Sequence, residues 1–404
     1  MKKHCTPNVE KMEAWIGTDP LTEALRGKVR EMIMTLVEGE LEEVLAAMPY
    51  ERNWIRRGYR HGRKRRSLST GFGQTQIEIP RARLIQDGQE GEWHSRLISR
   101  YQRRAPSVDA GLLGAYLSGI NQRRIKGALS PLLRGAPLSK SAISRLVGRL
   151  KALFVQWRQS SLEQERIVLL YLDAISLRVR IAQKVVSVPV LVALGVRPDG
   201  QKVVLGLELL ASESTQAWES LLTGLIQRGM KRPRLCIIDG NKGLRAAIQT
   251  QWPNMPVQRC TIHKLRNLER YVPKHALEEV RTEYHQIVYA DSLAKARSAY
   301  NAFVNKWSKR APKVAESLQE AGEELLTFYR FPQSQWKSLR TTNAVERLHG
   351  EFRRRVKTQG SLPNAQAAEL LLFGLLVSGQ IRIRRIDGWH ELNQIPEDPL
   401  QNAA

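Results

Sequence analysis

The chain has 404 residues, 42% of them hydrophobic, with 64 Lys plus Arg against 39 acids and a formal net charge of +25. That composition excludes a disordered chain, and no apolar run reaches the roughly eighteen residues of a membrane span. Cys5, Cys236 and Cys260 are too scattered for a disulfide framework. The start MKKHCTPNVEKMEAW lacks a signal-peptide core, so a cytoplasmic, nucleoid-associated protein is expected. Self-repulsion makes such a basic excess costly, and a polyanion relieves it through counterion release. Nucleic acid is therefore expected as the partner, with no membrane, because no basic amphipathic helix with an aromatic face stands out.

In chain order, residues 19–48 show helical spacing of Leu, Val, Ile and Met and read as two helices, a candidate oligomerisation element. The stretch RNWIRRGYRHGRKRRSLSTGFGQ (52–74) contains no acid. Arg56, Arg57, Arg60, Arg63, Lys64, Arg65 and Arg66, interleaved with Trp54 and Tyr59, suggest an arm that tracks phosphates rather than a merely solvated face. QTQIEIPRARLI (74–85) alternates like a short strand, with Pro80 limiting it to an edge. Residues 1–105 thus form a helical and basic DNA-binding region.

Residues 106–155 read as a helix-turn-helix. GLLGAYLSG ends at Gly119, Asn121 can cap the next helix, and Ser139 precedes KSAISRLVGRL. Ile143, Leu146, Val147 and Leu150 share one face of that helix. Lys140, Ser144, Arg145 and Arg149 remain for phosphates and base edges. A plain small helical bundle fits the same pattern.

From residue 166 the character changes. RIVLLYLD, SLRVRIA, VVSVPVLVALGV and KVVLGLELL carry strand signals, with a turn at Arg197–Gly200. STQAWESLLTGLIQRG has a Ser or Thr cap and a terminal glycine, and LCIIDG then leads into another helix. A mixed sheet with helices packed on it follows, in an order that fits a ribonuclease H-like domain among other α/β folds. Residues 264–335 are helical by pattern and would interrupt this domain, whose parts are 160–263 and 336–404. Two more helices are read at 341–360 and 367–386.

Two acids end apolar strands here, Asp173 and Asp239. If those strands are neighbours, the carboxylates emerge side by side, repel each other and favour a divalent cation such as Mg²⁺ or Mn²⁺. Singly, Asp239 could instead cap the following helix and Asp173 close a turn. Glu346, near the first turn of TTNAVERLHGEFRRR, is the candidate third ligand, although an ion pair with neighbouring arginines would also explain it. Glu351 lies about 140° further round the helix and cannot face the same ions.

YLDAISLRVR, the segment DGNKGLRAAI…WP…QRCTIHKLRN, and TTNAVERLHGEFRRR…GSLPN resemble the three signature blocks of prokaryotic Mutator-type insertion-sequence transposases. The resemblance implies a DDE transposase with Asp173, Asp239 and Glu346 as its triad, 66 and 107 residues apart. It implies a ribonuclease H-like core with an all-helical insertion between the second and third acids. It also implies two Mg²⁺ or Mn²⁺ ions per site, and double-stranded DNA as substrate, both terminal inverted repeats and target. A homodimer or higher assembly on that DNA follows. Arg347, Arg353, Arg354 and Arg355 would line the DNA path. Cys260 and His263 fall on the family's Cys-x-x-His position, where a supporting role is expected rather than zinc, which wants four ligands. An inactive, domesticated DNA-binding regulator is the alternative function.

Overall fold

The computed structural model describes residues 20–86, 89–118, 120, 125, 140–357 and 360–394. The chain divides into two compact units, with the boundary at Arg149 and Leu150.

The first unit opens with one helix, α1 (Pro20–Leu45), where two were expected. The helix runs unbroken through Gly27 and Gly39. The helix buries Val37, Leu41 and Leu45 against Leu68, Ile77, Ala82, Trp93 and Ile98. These come from or follow a three-stranded sheet, β1 (Gly58–Thr70), β2 (Gly73–Gln86) and β3 (Gln89–Glu92), in the order β1-β2-β3. The basic stretch is therefore largely a paired strand and not a free arm. Pro80 lies where β2 pairs with β1 alone, opposite a register irregularity between Arg60 and Arg63, but β2 becomes the central strand over Arg83–Gln86. The missing proline N–H thus faces an unpaired edge, as the residue requires.

Helix α2 (Pro106–Leu117) and the start of α3 (Lys140–Gln159) belong to the helix-turn-helix reading. Ile143, Leu146 and Leu150 are buried as the spacing predicts. Gly119, Asn121 and Ser139 lie outside the described residues.

The second unit is built on a five-stranded sheet. Its strands are β4 (Leu169–Ile181), β5 (Lys184–Val196), β6 (Lys202–Leu209), β7 (Leu235–Ile238) and β8 (Val257–Arg259), in the order β6-β5-β4-β7-β8. The first three form an antiparallel meander, and β7 and β8 run parallel to β4. Strand β4 does not end at Asp173. It continues to Ile181 and turns into β5 through Ala182 and Gln183, whose φ values of 46° and 66° suit a tight hairpin. Neither residue signals a turn by its type; the pattern shifts from apolar to alternating within β4 because only Leu169–Leu172 are flanked by both β5 and β7. The three-residue β8 is too short to carry a strand pattern of its own in the sequence.

Side chains alternate across the sheet. Leu170, Leu172, Leu191, Ala193 and Leu205 pack against Trp218, Leu221 and Leu225 of α4 (Thr215–Gln227) and Leu244, Ala247 and Ile248 of α5 (Lys242–Gln251). Tyr171 and Asp173 point the other way. On that face the Tyr171 hydroxyl reaches Ser338 O at 3.0 Å, and His349 of α11 (Asn343–Lys357) reaches Asp173. Between β8 and α11 the chain forms helices α6 (Thr261–Glu269), α7 (Leu277–Val288), α8 (Leu293–Arg310), α9 (Pro312–Ala321) and the short α10 (Trp336–Leu339), linked by 3₁₀ turns and loops. Helix α12 (Ala365–Val377) is shorter than its sequence pattern, because Gly379 adopts a left-handed φ of 69° just past its end.

Candidate active site

Strand pairing brings the two aspartates together. β4 and β7 are parallel neighbours with Leu172 opposite Ile238, so Asp173 and Asp239 are the next residues on adjacent strands. At this point β7 stops while β4 continues, which opens a gap at the sheet beside both carboxylates. Asp239 does not cap the following helix. Asn241 does so, accepting from Leu244 N at 3.0 Å, and Asp239 Oδ1 accepts the Asn241 N–H at 2.9 Å. Gly240 between them needs its positive φ of 100°, and its backbone lies against the Arg259 guanidinium.

Glu346 enters from the first turn of α11. The Thr342 hydroxyl donates to its Oε1 at 3.0 Å, and His263 Nε2 stands 3.6 Å from the same oxygen. Cys260, His263 and Glu346 each offer a ligand atom within 4.8 Å of the others. Three residues on from Glu346, the 2% exposed His349 brings Nδ1 to 3.3 Å from Asp173 Oδ2. Helix α11 therefore meets Asp173 through His349 and His263 through Glu346.

The electrostatics follow from this crowding. Burial raises the Asp239 pKa, the Asn241 N–H opposes that, and the charge of Asp173 adds to it. His263 is pushed up to about 9, chiefly by its hydrogen bond with Cys260, with Glu346 and Asp173 contributing. Burial pushes the Cys260 thiol up, but hydrogen bonds from His263 and Thr342 outweigh it and leave the pKa lowered. Thr342 N and Oγ1 lie 3.4 and 3.3 Å from Cys260 Sγ.

Sequence reasoning missed three participants. His349 lies on the helix that carries Glu346, and its Nε2 is buried with no hydrogen-bond partner among the described residues. Thr342 carries no signal of its own in the sequence, yet its hydroxyl meets Glu346 and its N–H meets Cys260. Glu213, just before the Ser214 cap of α4, accepts from Asn241 Nδ2 at 2.9 Å, and its pKa is raised by burial first and then by the charges of Asp239 and Asp173. The spacing of three helix-facing residues could have flagged His349; nothing local flags Glu213.

The expected DNA contacts divide. Arg347 and Arg353 are exposed on α11, and Arg353, seven residues from Glu346, lies on nearly the same side of the helix. Arg354 and Arg355 pair with Glu351. In the first unit, Arg60 and Arg63 hold Glu38 at 3.1 Å each, Arg65 holds Glu78 at 2.8 Å, and Arg66 donates to Ser99 O and Gln102 O. Arg56 donates to Gly58 O at 2.7 Å, whereas Arg57 and Lys64 are exposed and have no ion pair among the described residues. Arg149 pairs with Asp109 at 3.0 Å; Ser144 and Arg145 are exposed, and the Lys140 side chain lies outside what is described.

Residues 1–381 match the family described as Transposase, Mutator family. The chain is 33% identical over 372 residues, 92% of its length and 90% of the relative's, to the transposase for insertion sequence element ISRM5 of Rhizobium meliloti (strain 1021). It is 32% identical, over 89% of its length and 90% of the relative's, to that for IS406 of Burkholderia multivorans (strain ATCC 17616 / 249). A Drosophila P element transposase strand transfer complex aligns at a TM-score of 0.30 and 10% identity, covering 76% of this chain and 85% of that one, too weakly to bear on the fold. The class is that of the insertion-sequence transposases, enzymes that act on DNA. The chain belongs to the Mutator family of transposases. No described helix is long and apolar enough to cross a membrane.

Proposed function

We propose that this transposase cleaves the ends of its element and joins them to target DNA at a DDE site formed by Asp173, Asp239 and Glu346, on a ribonuclease H-like core interrupted by the helices of 264–335. Two observations support the reading: β4–β7 pairing aligns Asp173 with Asp239, and His263 stands 3.6 Å from Glu346 while feeling the charge of Asp173, the three acids being 66 and 107 residues apart in the chain. An antiparallel meander flanked by two parallel strands supports the core assignment.

The donor set fits hard divalent cations such as Mg²⁺ or Mn²⁺. Its free oxygens are carboxylates, and the raised Asp239 pKa reflects burial and a neighbouring negative charge that a cation would relieve. Cys260 already accepts from Thr342, which supports a positioning role for it. Two such ions, when bound, would supply Lewis acidity to the scissile phosphate and make water or a 3′-hydroxyl nucleophilic near neutral pH.

The chain's own residues do the rest. Asp173 is held by the Ala174 N–H and His349, Glu346 by Thr342, and both are thereby fixed before substrate arrives. Hydrolysis breaks the P–O bond to the element's 3′ oxygen and frees a 3′-hydroxyl. That hydroxyl then attacks a target phosphorus, exchanging one phosphodiester for another without external energy. Exposed Arg347 and Arg353 offer positive charge to the negative phosphorane. Two ends must meet, so the working unit is at least a dimer bound to terminal inverted repeats.

Asp173→Asn, Asp239→Asn and Glu346→Gln should each reduce cleavage and joining by at least about 10³-fold while end binding stays close to wild type. Cleavage at the wild-type rate by any one variant removes that acid from the site.

A further inference from the structure

Directly beyond Asp239 the surface changes sign. A cleft of ≈ 590 Å³ opens at Gly240, bounded by the first turn of α5, by α6 and by α9. Helix α6 joins the two features, with His263 near the acids and Lys264 and Asn267 lining the cleft.

Its floor is an ion-pair cluster. Arg259 and Lys264, 3% and 2% exposed, hold Glu320 from two sides at 2.8 Å each. Burial alone would raise Glu320, but these two hydrogen-bonded cations bring it down to about 2. Two cations on one carboxylate leave the floor positive.

The rim adds Lys242, Arg270 and Lys313 from three separate segments. All three are exposed, and none has an ion pair or side-chain hydrogen bond among the described residues. Glu316 is the rim's acid, and Tyr271, 50% exposed, contributes an aromatic face. Converging like charges that hold no part of the fold together raise its free energy unless an anion fills the space between them.

We propose that this cleft is a binding subsite for the phosphodiester backbone of the DNA strand passing Asp239. Lys242, Arg270 and Lys313 meet its phosphates, and Tyr271 offers a stacking face to a base. The assignment rests on the reading of Asp239 as part of the reacting centre only for which strand segment occupies the cleft; the anion chemistry stands on the cleft itself.

The test uses the full chain with all divalent metal chelated, so that no chemistry intrudes. Anisotropy titrations over a range of salt compare wild type with the triple variant Lys242→Gln, Arg270→Gln, Lys313→Gln, on a short duplex and on the single strand. Loss of three phosphate contacts should flatten the log–log salt slope by about 2 to 3 and weaken binding by about 10- to 100-fold at moderate salt. A larger effect on the single strand identifies an unpaired strand as occupant, and an equal one a duplex backbone. Glu316→Gln, which removes the rim's acid, should act oppositely and tighten binding, and it keeps the test decisive if the triple variant folds poorly. Wild-type slopes on both DNAs for the triple variant, or no tightening by Glu316→Gln, overturn the proposal. Asp239→Asn, assayed separately for cleavage with Mg²⁺ present, serves as the control: if it keeps cleavage, the active-site reading fails while the cleft result stands.

Discussion

His263 shows how much a single side chain owes to contacts distant in sequence. Its pKa is lifted to about 9 first by the hydrogen bond with Cys260 and then by nearby acids, so the ring is an imidazolium at neutral pH. A raised folded-state pKa stabilises the fold below the ordinary range near 6.5 and loses that contribution as pH climbs through about 9. In metal-free protein, Cys260→Ala should bring the His263 titration back toward about 6.5, read from its imidazole resonances. If it stays near 9, the charges of Glu346 and Asp173 hold the proton, and Cys260 has no electrostatic part in the site. The thiol and imidazole were visible in the sequence as a spaced pair. Their link to Thr342 and Glu346, some eighty residues away, was not.

Among the elements, the hairpin joining β4 to β5 is the least predictable from composition. Two non-glycine residues with positive φ, Ala182 and Gln183, make the turn, where left-handed backbone costs about 1–2 kcal/mol per residue. Gln183→Gly should therefore stabilise the second unit by about 1 kcal/mol, measured by chemical denaturation, with cleavage unaffected. A loss of stability would mean that the Gln183 side chain contributes more than its backbone costs. The basic strand β1 poses the matching question in the first unit. Arg60 is largely buried against Glu38 and Glu42, so it serves the fold. Lys64 is exposed and unpaired among the described residues. Arg60→Gln should lower the melting temperature by leaving Glu38 short of a partner, whereas Lys64→Gln should leave it unchanged and flatten the DNA salt slope by about 0.9. Equal effects of the two on DNA binding would mean that the ion pair with Glu38 opens when DNA binds.

For the whole molecule, a net charge of +25 acquires meaning once its cations are sorted. Some arginines hold the first unit together, others brace α11 through Glu351, and a remainder is left facing solvent in the cleft beside Asp239. The total charge identified the partner class, but it could not say which cations face DNA. Residues 52–66 drew attention by density alone, while Lys242, Arg270 and Lys313 are isolated in sequence and converge only in space.

The sequence by itself determined the apolar runs of β4 to β7, though not the continuity of β4 or the short β8, together with the helical character of 264–335 and a Ser or Thr cap before α4, because these are local patterns that survive without tertiary context. Tertiary structure decided the rest. Parallel pairing of a strand only four residues long with the first four residues of a thirteen-residue one aligned Asp173 with Asp239, and packing of α11 across that strand brought His349 to Asp173. Such contacts depend on register and on which faces are buried, and these are set by the assembled core rather than by any one segment.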